Sequence, residues 1–290
     1  MLLKKLLDTI ETVFPLQSAI PGDRIGLQVQ SGKRNISKVL VTLELNGEVL
    51  NEAKEEFADC IVSFHPLIYN PLTSITELDR VGRLCTSLIE NSIALVIIHT
   101  NFDTYFNGTS KILAEKLGYT VSEILVPDTR LDKTGMGVVA VPKRPLKAAD
   151  LLRDVGSICR SPLRYCMGKS NSIKKIAIVG GSGSAFLENA IAAGADAFIT
   201  ADVTYHTYHR AAGEIMLIDP GHYEMEQFVP RALAGVLRQK LASGRQLGII
   251  ASKIRTNPVE YYPDSNNYSA EQIKYLINNK EQMKTDGTPN

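Results

Sequence analysis

Several features that mark large functional classes are missing from this chain. No apolar run reaches the ~20 residues that a membrane-spanning helix needs, so membrane insertion is not expected. No long run carries charge of one sign, and 32 Lys and Arg nearly cancel 31 Asp and Glu. Without a concentrated positive field a polyanion has little to hold it, so nucleic acid is not an expected partner. Cysteines number only four, Cys60, Cys85, Cys159 and Cys166, with no Cys-x-x-Cys spacing among them. Neither a disulfide framework nor a thiolate zinc site is expected. No secretory leader is read at the start, so a reducing compartment fits: the cytoplasm, with the nucleus and the mitochondrion as alternatives.

What is present is enough for a sizeable interior. At 290 residues and 44% hydrophobic content, the chain can bury one large core or two ordinary ones. Leu2, Leu3, Leu6, Leu7, Ile10 and Phe14 recur at helical spacing, which predicts a core-facing first helix. Beyond it, short runs rich in Val and Ile (39–43, 61–63, 95–98) alternate with helix-like segments (46–57, 77–91). That alternation predicts βαβ units and a mostly parallel sheet.

The pattern then recurs, with strands at 176–179, 197–200 and 216–218 and a helix at 185–193. Setting Ile36-Ser37-Lys38-Val39 against Ile173-Lys174-Lys175-Ile176 brings Ala58-Asp59 onto Ala195-Asp196 without a gap and places His65 opposite Asp202. An internal duplication follows, giving an α/β fold of two related halves packed face to face. Open α/β sheets bind ligands at the carboxyl ends of their strands, so the cleft is expected between the halves. The boundary is set near residue 128: a first half over 1–128, a second over 129–263 containing a strand at 136–141 and a helix at 147–155, and a polar extension over 264–290. That extension is expected to be partly disordered, with at most one short helix around 270–279.

Polar residues follow the strands. His65 comes directly after the 60–63 strand and before Pro66, which stops the strand and leaves the imidazole at its edge. A lone histidine there is more often a hydrogen-bonded strand end than a ligand. In His99-Thr100-Asn101-Phe102-Asp103 a second polar stretch leaves the sheet at the same edge, although Asn101 and Asp103 could simply turn the chain. After Pro220-Gly221, His222 and Glu226 stand at i and i+4 and share one face of a starting helix; acids also suit any helix start. One imidazole, one aspartate and a His/Glu pair make a nitrogen and oxygen set suited to Zn, Mn, Fe or Co. His65, Asp103, His222 and Glu226 are the expected metal ligands.

Two further segments carry open readings. Gly180-Gly181-Ser182-Gly183-Ser184 lies between a strand and a helix, where backbone N–H groups can hold an anion; a turn that needs glycine for conformation alone is the equal alternative. Asp202, Tyr205, His206 and His209 follow the 197–200 strand, with Asp202 and His206 at i and i+4 if a helix starts there.

Together the motifs resemble the Ngg-interacting-factor-like family, the homologues of type 2 GTP cyclohydrolase I. They are Asp23-Arg24-Ile25-Gly26-Leu27-Gln28-Val29, His65-Pro66, His99 to Asp103, Gly180 to Ser184, Ala195 to Thr200 and Gly221-His222-Tyr223-Glu224, in that order over nearly the whole chain. The resemblance implies a two-domain protomer in a toroidal homo-hexamer, a trimer of dimers, with a dinuclear metal site facing the central cavity. By position, His65 matches the second histidine of the family's His-His pair, Asp103 the bridging aspartate, and His222 and Glu226 the later ligands. Phe64 stands where many bacterial relatives have the first histidine, which puts the second metal in doubt and resembles the eukaryotic branch.

Two functions are expected to compete. In one, the chain is a metal-dependent, cyclohydrolase-like hydrolase of a nucleotide or related small molecule, with His99 or His206 as general acid/base because imidazoles titrate near neutrality. In the other it is a non-catalytic, metal-binding regulatory protein with a transcription adaptor or other protein as partner.

Overall fold

The structure is a computed structural model that describes residues 1–241 and 247–261. The expected polar extension over 264–290 and its short helix lie outside the described residues. In chain order, α1 (Leu3–Val13) leads into β1 (Gly26–Val29), β2 (Lys38–Thr42), α2 (Gly47–Glu55), β3 (Cys60–Ser63), α3 (Arg80–Glu90), β4 (Ala94–Ile97), α4 (Thr100–Asp103) and α5 (Thr109–Lys116). There follow β5 (Thr120–Pro127), β6 (Gly135–Val141), β7 (Leu146–Lys147), α6 (Ala148–Cys159), β8 (Arg164–Cys166), β9 (Ser172–Ile173) and β10 (Ile176–Ile178). After these come α7 (Leu187–Ala192), β11 (Ala197–Ile199), α8 (Tyr205–Ala211), β12 (Met216–Asp219), α9 (His222–Glu226), α10 (Val229–Leu241) and β13 (Gly248–Ala251).

These strands form two main sheets, ordered β1-β4-β3-β2-β13 and β5-β6-β10-β11-β12-β8. Each has a parallel centre: β4-β3-β2-β13 in the first, with β1 antiparallel at its edge, and β10-β11-β12 in the second, flanked by antiparallel β6 and β8. Apart from Lys38 at the start of β2, the central strands are buried because helices cover both faces, which is why they read as unbroken apolar runs rather than alternating ones. In the first sheet Val39, Val41, Val62 and Val96 pack with Leu3, Leu6 and Ile10 of α1 and Leu233 of α10. Leu40, Ile61 and Leu95 face the other way, onto Val49 and Leu50 of α2 and Leu84 and Leu88 of α3. Asn46 starts α2 by accepting from the Val49 N–H at 2.8 Å, and Asp79 starts α3 by accepting from the Gly82 N–H at 2.8 Å, so each cap satisfies a donor the helix leaves open.

Strand registers bear out the duplicated pattern. Val39 pairs with Cys60 in the first sheet as Ile176 pairs with Ala197 in the second, at the offset of the gap-free alignment. The sheets do not, however, divide the chain at one point. β5 lies before residue 128 yet belongs to the second sheet, where it pairs with β6. α10 and β13 lie after it yet complete the first sheet, where β13 runs parallel to β2. A cut at residue 128 therefore does not separate the two sheets: a hairpin keeps β5 with its neighbour β6, and the apolar face of α10 finds its complement on α1. All of these elements lie in one compact unit, Met1–Thr256.

Candidate metal centre

The carboxyl ends of the strands deliver the polar residues. β3 leads to His65, β4 to His99 and Asp103, β10 to Gly181, β11 to Asp202, and β12 to His222 and Glu226. His65 comes from the first sheet and His222 and Glu226 from beyond the second, yet ligand-capable atoms of the three lie within 4.8 Å of one another. The Nε2 atoms of His65 and His222 stand 3.2 and 3.1 Å from the same oxygen, Oε2 of Glu226. That oxygen is buried and has hydrogen-bond alignment with neither ring. A buried carboxylate oxygen without a hydrogen bond is costly. Two imidazole nitrogens and a carboxylate oxygen without a hydrogen bond converging in this way form a donor set that fits a divalent cation of Zn, Mn, Fe or Co type.

Carboxylates stand behind the rings. Nδ1 of His222 is 2.6 Å from Oδ2 of Asp202, and Nδ1 of His65 is 3.2 Å from Oε1 of Glu44. Burial opposes a charge on His65, but Glu226 and Glu44 outweigh it and raise its pKa; Glu226 and Asp202 do the same for His222. Glu226 is itself held ionised against its burial by the two imidazoles.

Asp103 stands outside the tight group. Its Oδ1 is buried without a hydrogen-bond partner, and burial together with the nearby Glu226 charge raises its pKa. His99 is half-buried, with its ring centre 5.5 Å from that of His65 and its Nδ1 2.9 Å from Oδ1 of Asp23. Asp23 also accepts from the Thr100 N–H and hydroxyl, which pins the turn into α4. His206 is not brought to the cluster. It lies exposed on α8 with its ring edge-on to Tyr205, because α8 starts at Tyr205 behind its Thr204 cap and the i, i+4 relation with Asp202 does not form.

The glycine segment serves the centre by its shape. Gly181 has φ +61°, and a Cβ there would fall 2.4 Å from Oε1 of Glu226 and 3.2 Å from Nε2 of His222. Its neighbours are engaged internally: the Gly180 N–H donates to Oγ of Ser110 and the Gly183 N–H to Oγ1 of Thr200. The following helix begins as a 3-10 turn, Ser184–Phe186, and α7 has only six residues, so the conformational reading of these glycines is favoured over an anion cradle.

Over residues 1–258 the chain matches the family profile Duf34/NIF3 (NGG1p interacting factor 3). It belongs to the Duf34/NIF3 family. Among its Duf34/NIF3 relatives, the GTP cyclohydrolase 1 type 2 homolog of Clostridium perfringens is 33% identical, covering 90% of this chain and all of the relative. That of Lactococcus lactis is 32% identical over 86% of this chain and 95% of the relative. A Staphylococcus aureus hypothetical protein superposes with a TM-score of 0.83 at 28% identity, over 90% of this chain and 99% of the other. Reduced HcgD from Methanocaldococcus jannaschii does so with 0.70 at 26%, over 88% and 98%. These relatives are bacterial and archaeal.

Three contributors carried weaker signals in the sequence. Asp23 opens the Asp23-Arg24-Ile25-Gly26 motif, and Asp202 is the residue set opposite His65 by the duplication. Glu44 had only its place two residues beyond a strand end.

Proposed function

We propose that the chain is a metal-dependent hydrolase of a nucleotide or related small molecule, with its ion held by His65, His222 and Glu226 and approached by Asp103. The observation that carries this reading is the buried Oε2 of Glu226, shared at 3.2 and 3.1 Å by two imidazole nitrogens and aligned with neither. A divalent ion in such a set supplies Lewis acidity and lowers the pKa of bound water towards neutrality.

The chain's own residues would do the rest. Asp23 holds Nδ1 of His99, which leaves Nε2 as the atom that takes or returns a proton beside the cluster. The names of the relatives support a cyclohydrolase-like reaction as the starting guess for substrate class. A homo-hexamer built as a trimer of dimers is part of the same proposal. Exposed Leu72, Ile75 and Leu78, the last 90% exposed, support a surface that meets another chain. The same apolar loop, with a family description that names an interacting factor, supports the second reading: a non-catalytic regulatory protein that binds another protein.

Metal content of wild type, Asp103→Ala and Glu226→Ala decides, followed by incubation of each with nucleotides and phosphoesters. Bound metal in wild type, with turnover that needs it and is absent from both variants, is the expected result. Equal, low metal in all three overturns the site, and metal without turnover moves the weight to the regulatory reading.

A further inference from the structure

Asp202 is not among the expected ligands, yet the fold invests in its position. It takes the left-handed conformation at φ +55°, which costs most residues energy and is tolerated best by Asp, Asn and Gly. The residues beside Asp202 and His222 are tied to one buried carboxylate: Oδ2 of Asp219 accepts from the Val203 N–H at 3.1 Å and Oδ1 from the Gly221 N–H at 2.9 Å. Arg164 pairs with that carboxylate from the solvent side. The outcome is a 2.6 Å contact between Oδ2 of Asp202 and Nδ1 of His222, although the Asp202 side chain is 53% exposed. A side chain so open to water has no burial to gain from this posture.

The duplication gives the contact a meaning. Residue for residue, Asp202 occupies in the second half the strand-end position that His65 occupies in the first. One half places a ligand there and the other a carboxylate that faces a ligand's far nitrogen. A histidine whose Nδ1–H is held by a carboxylate keeps its Nε2 lone pair free and aimed, and such partners commonly carry a 10- to 100-fold share of metal affinity.

We propose that Asp202 is the positioning residue of the centre, fixing the tautomer and the direction of His222 so that Nε2 faces Glu226. The inference rests on the metal-holding role given to His222 above. Glu44 is the weaker counterpart behind His65, at 3.2 Å and without hydrogen-bond alignment at Nδ1.

Cobalt(II) titration tests it, using the visible ligand-field bands and a competing chromophoric chelator, on full-length wild type, Asp202→Asn, Asp202→Gly, Glu44→Gln and His222→Ala. Glycine removes the carboxylate and asparagine removes only its charge, and both tolerate the backbone conformation, so thermal melts should stay close to wild type. The expected result is about a 10- to 100-fold loss of affinity with altered bands in Asp202→Gly, partial recovery in Asp202→Asn, and a smaller loss in Glu44→Gln. Wild-type affinity and bands in Asp202→Gly, beside a clear loss in His222→Ala, overturn the inference and leave the metal site standing. No cobalt binding by wild type overturns both.

Discussion

Asp59 and Asp196 perform the same task in the two sheets. Oδ2 of Asp59 accepts from the N–H groups of Ser37 and Lys38, and Oδ2 of Asp196 accepts from those of Lys174 and Lys175. The backbones match as well: the Asp59 N–H donates to the Lys38 carbonyl and the Asp196 N–H to that of Lys175. Each carboxylate thus ties the start of one central strand to the start of its neighbour, and the two halves share a working part as well as an outline.

Asp59 makes the tie testable. Burial opposes its ionisation, but Lys33 and the Ser37 N–H and hydroxyl outweigh it and hold the carboxyl at about 2, below its ordinary 3.8. A lowered folded pKa means stability that is present above pH ~4 and lost as the pH falls towards 2. Asp59→Ala is expected to lose roughly 1.5–3 kcal/mol at neutral pH, as for a hydrogen-bonded charged group, with the gap to wild type closing near pH 2. Denaturant melts at several pH values check this; a gap that is constant with pH would show that the charge is not what matters.

The strands were legible because their helices bury both faces, so Val and Ile runs carry the signal without help from tertiary context. The duplication was legible because Asp59 and Asp196 fall into one gap-free alignment. The division of the chain was not, since β13 reaches the first sheet only by pairing with β2 across the whole second half. Within the centre, a strand-end histidine or a His/Glu pair at i, i+4 shows in local spacing. A partner such as Asp23 on His99 depends on two segments far apart meeting, and no local pattern records that. His206 failed for a local reason, the one-residue question of where α8 begins.

Phe64 is fully buried and sits against His65, His99 and Phe102, with ring centres 5.0, 5.3 and 6.2 Å away. Phe64→Ala is expected to cost about 3–5 kcal/mol by emptying a packed site. Phe64→His puts a nitrogen donor beside His65 and is expected to raise bound metal per chain, at some cost in stability from burying a polar ring. Metal analysis after reconstitution checks it. Unchanged stoichiometry with an intact fold would mean that the residues around position 64 leave no room for a second ion.

Gly181 separates the two costs of a side chain near the centre. Gly181→Ala introduces both a left-handed non-glycine residue, costing about 1–2 kcal/mol, and a methyl group aimed at Oε1 of Glu226 and Nε2 of His222. The expected result is a modest drop in thermal stability with a disproportionate loss of metal affinity, because the methyl displaces the ligands themselves. Gly194, also left-handed at φ +71° but with nothing within reach of its Cβ, gives the control. If Gly181→Ala and Gly194→Ala lower metal affinity equally, close approach at Gly181 has no special role.

Protons and metal should compete for the same nitrogens. Without an ion, Glu226 with Glu44 lifts the His65 pKa to about 9, and Glu226 with Asp202 lifts that of His222 to about 10, from an ordinary 6.5 and against the effect of burial. Raised folded values mean that these contacts contribute stability fully below pH ~6.5 and lose it as the pH climbs through 9 to 10. Metal ligation needs the rings neutral, so binding must expel protons, and affinity should rise over that same window. Because both rings share Glu226, the change should spread over the window rather than follow one sharp step. Metal-free protein should therefore melt at a falling temperature as pH rises from about 6.5, while metal-loaded protein holds or gains. At about 100 times its dissociation constant the ion adds ~2.7 kcal/mol. Calorimetric titration in buffers of different ionisation enthalpy counts the released protons directly. Metal uptake at neutral pH with no proton released would mean that the imidazoles are neutral before the ion arrives, and that Glu226 does not act as their counter-charge.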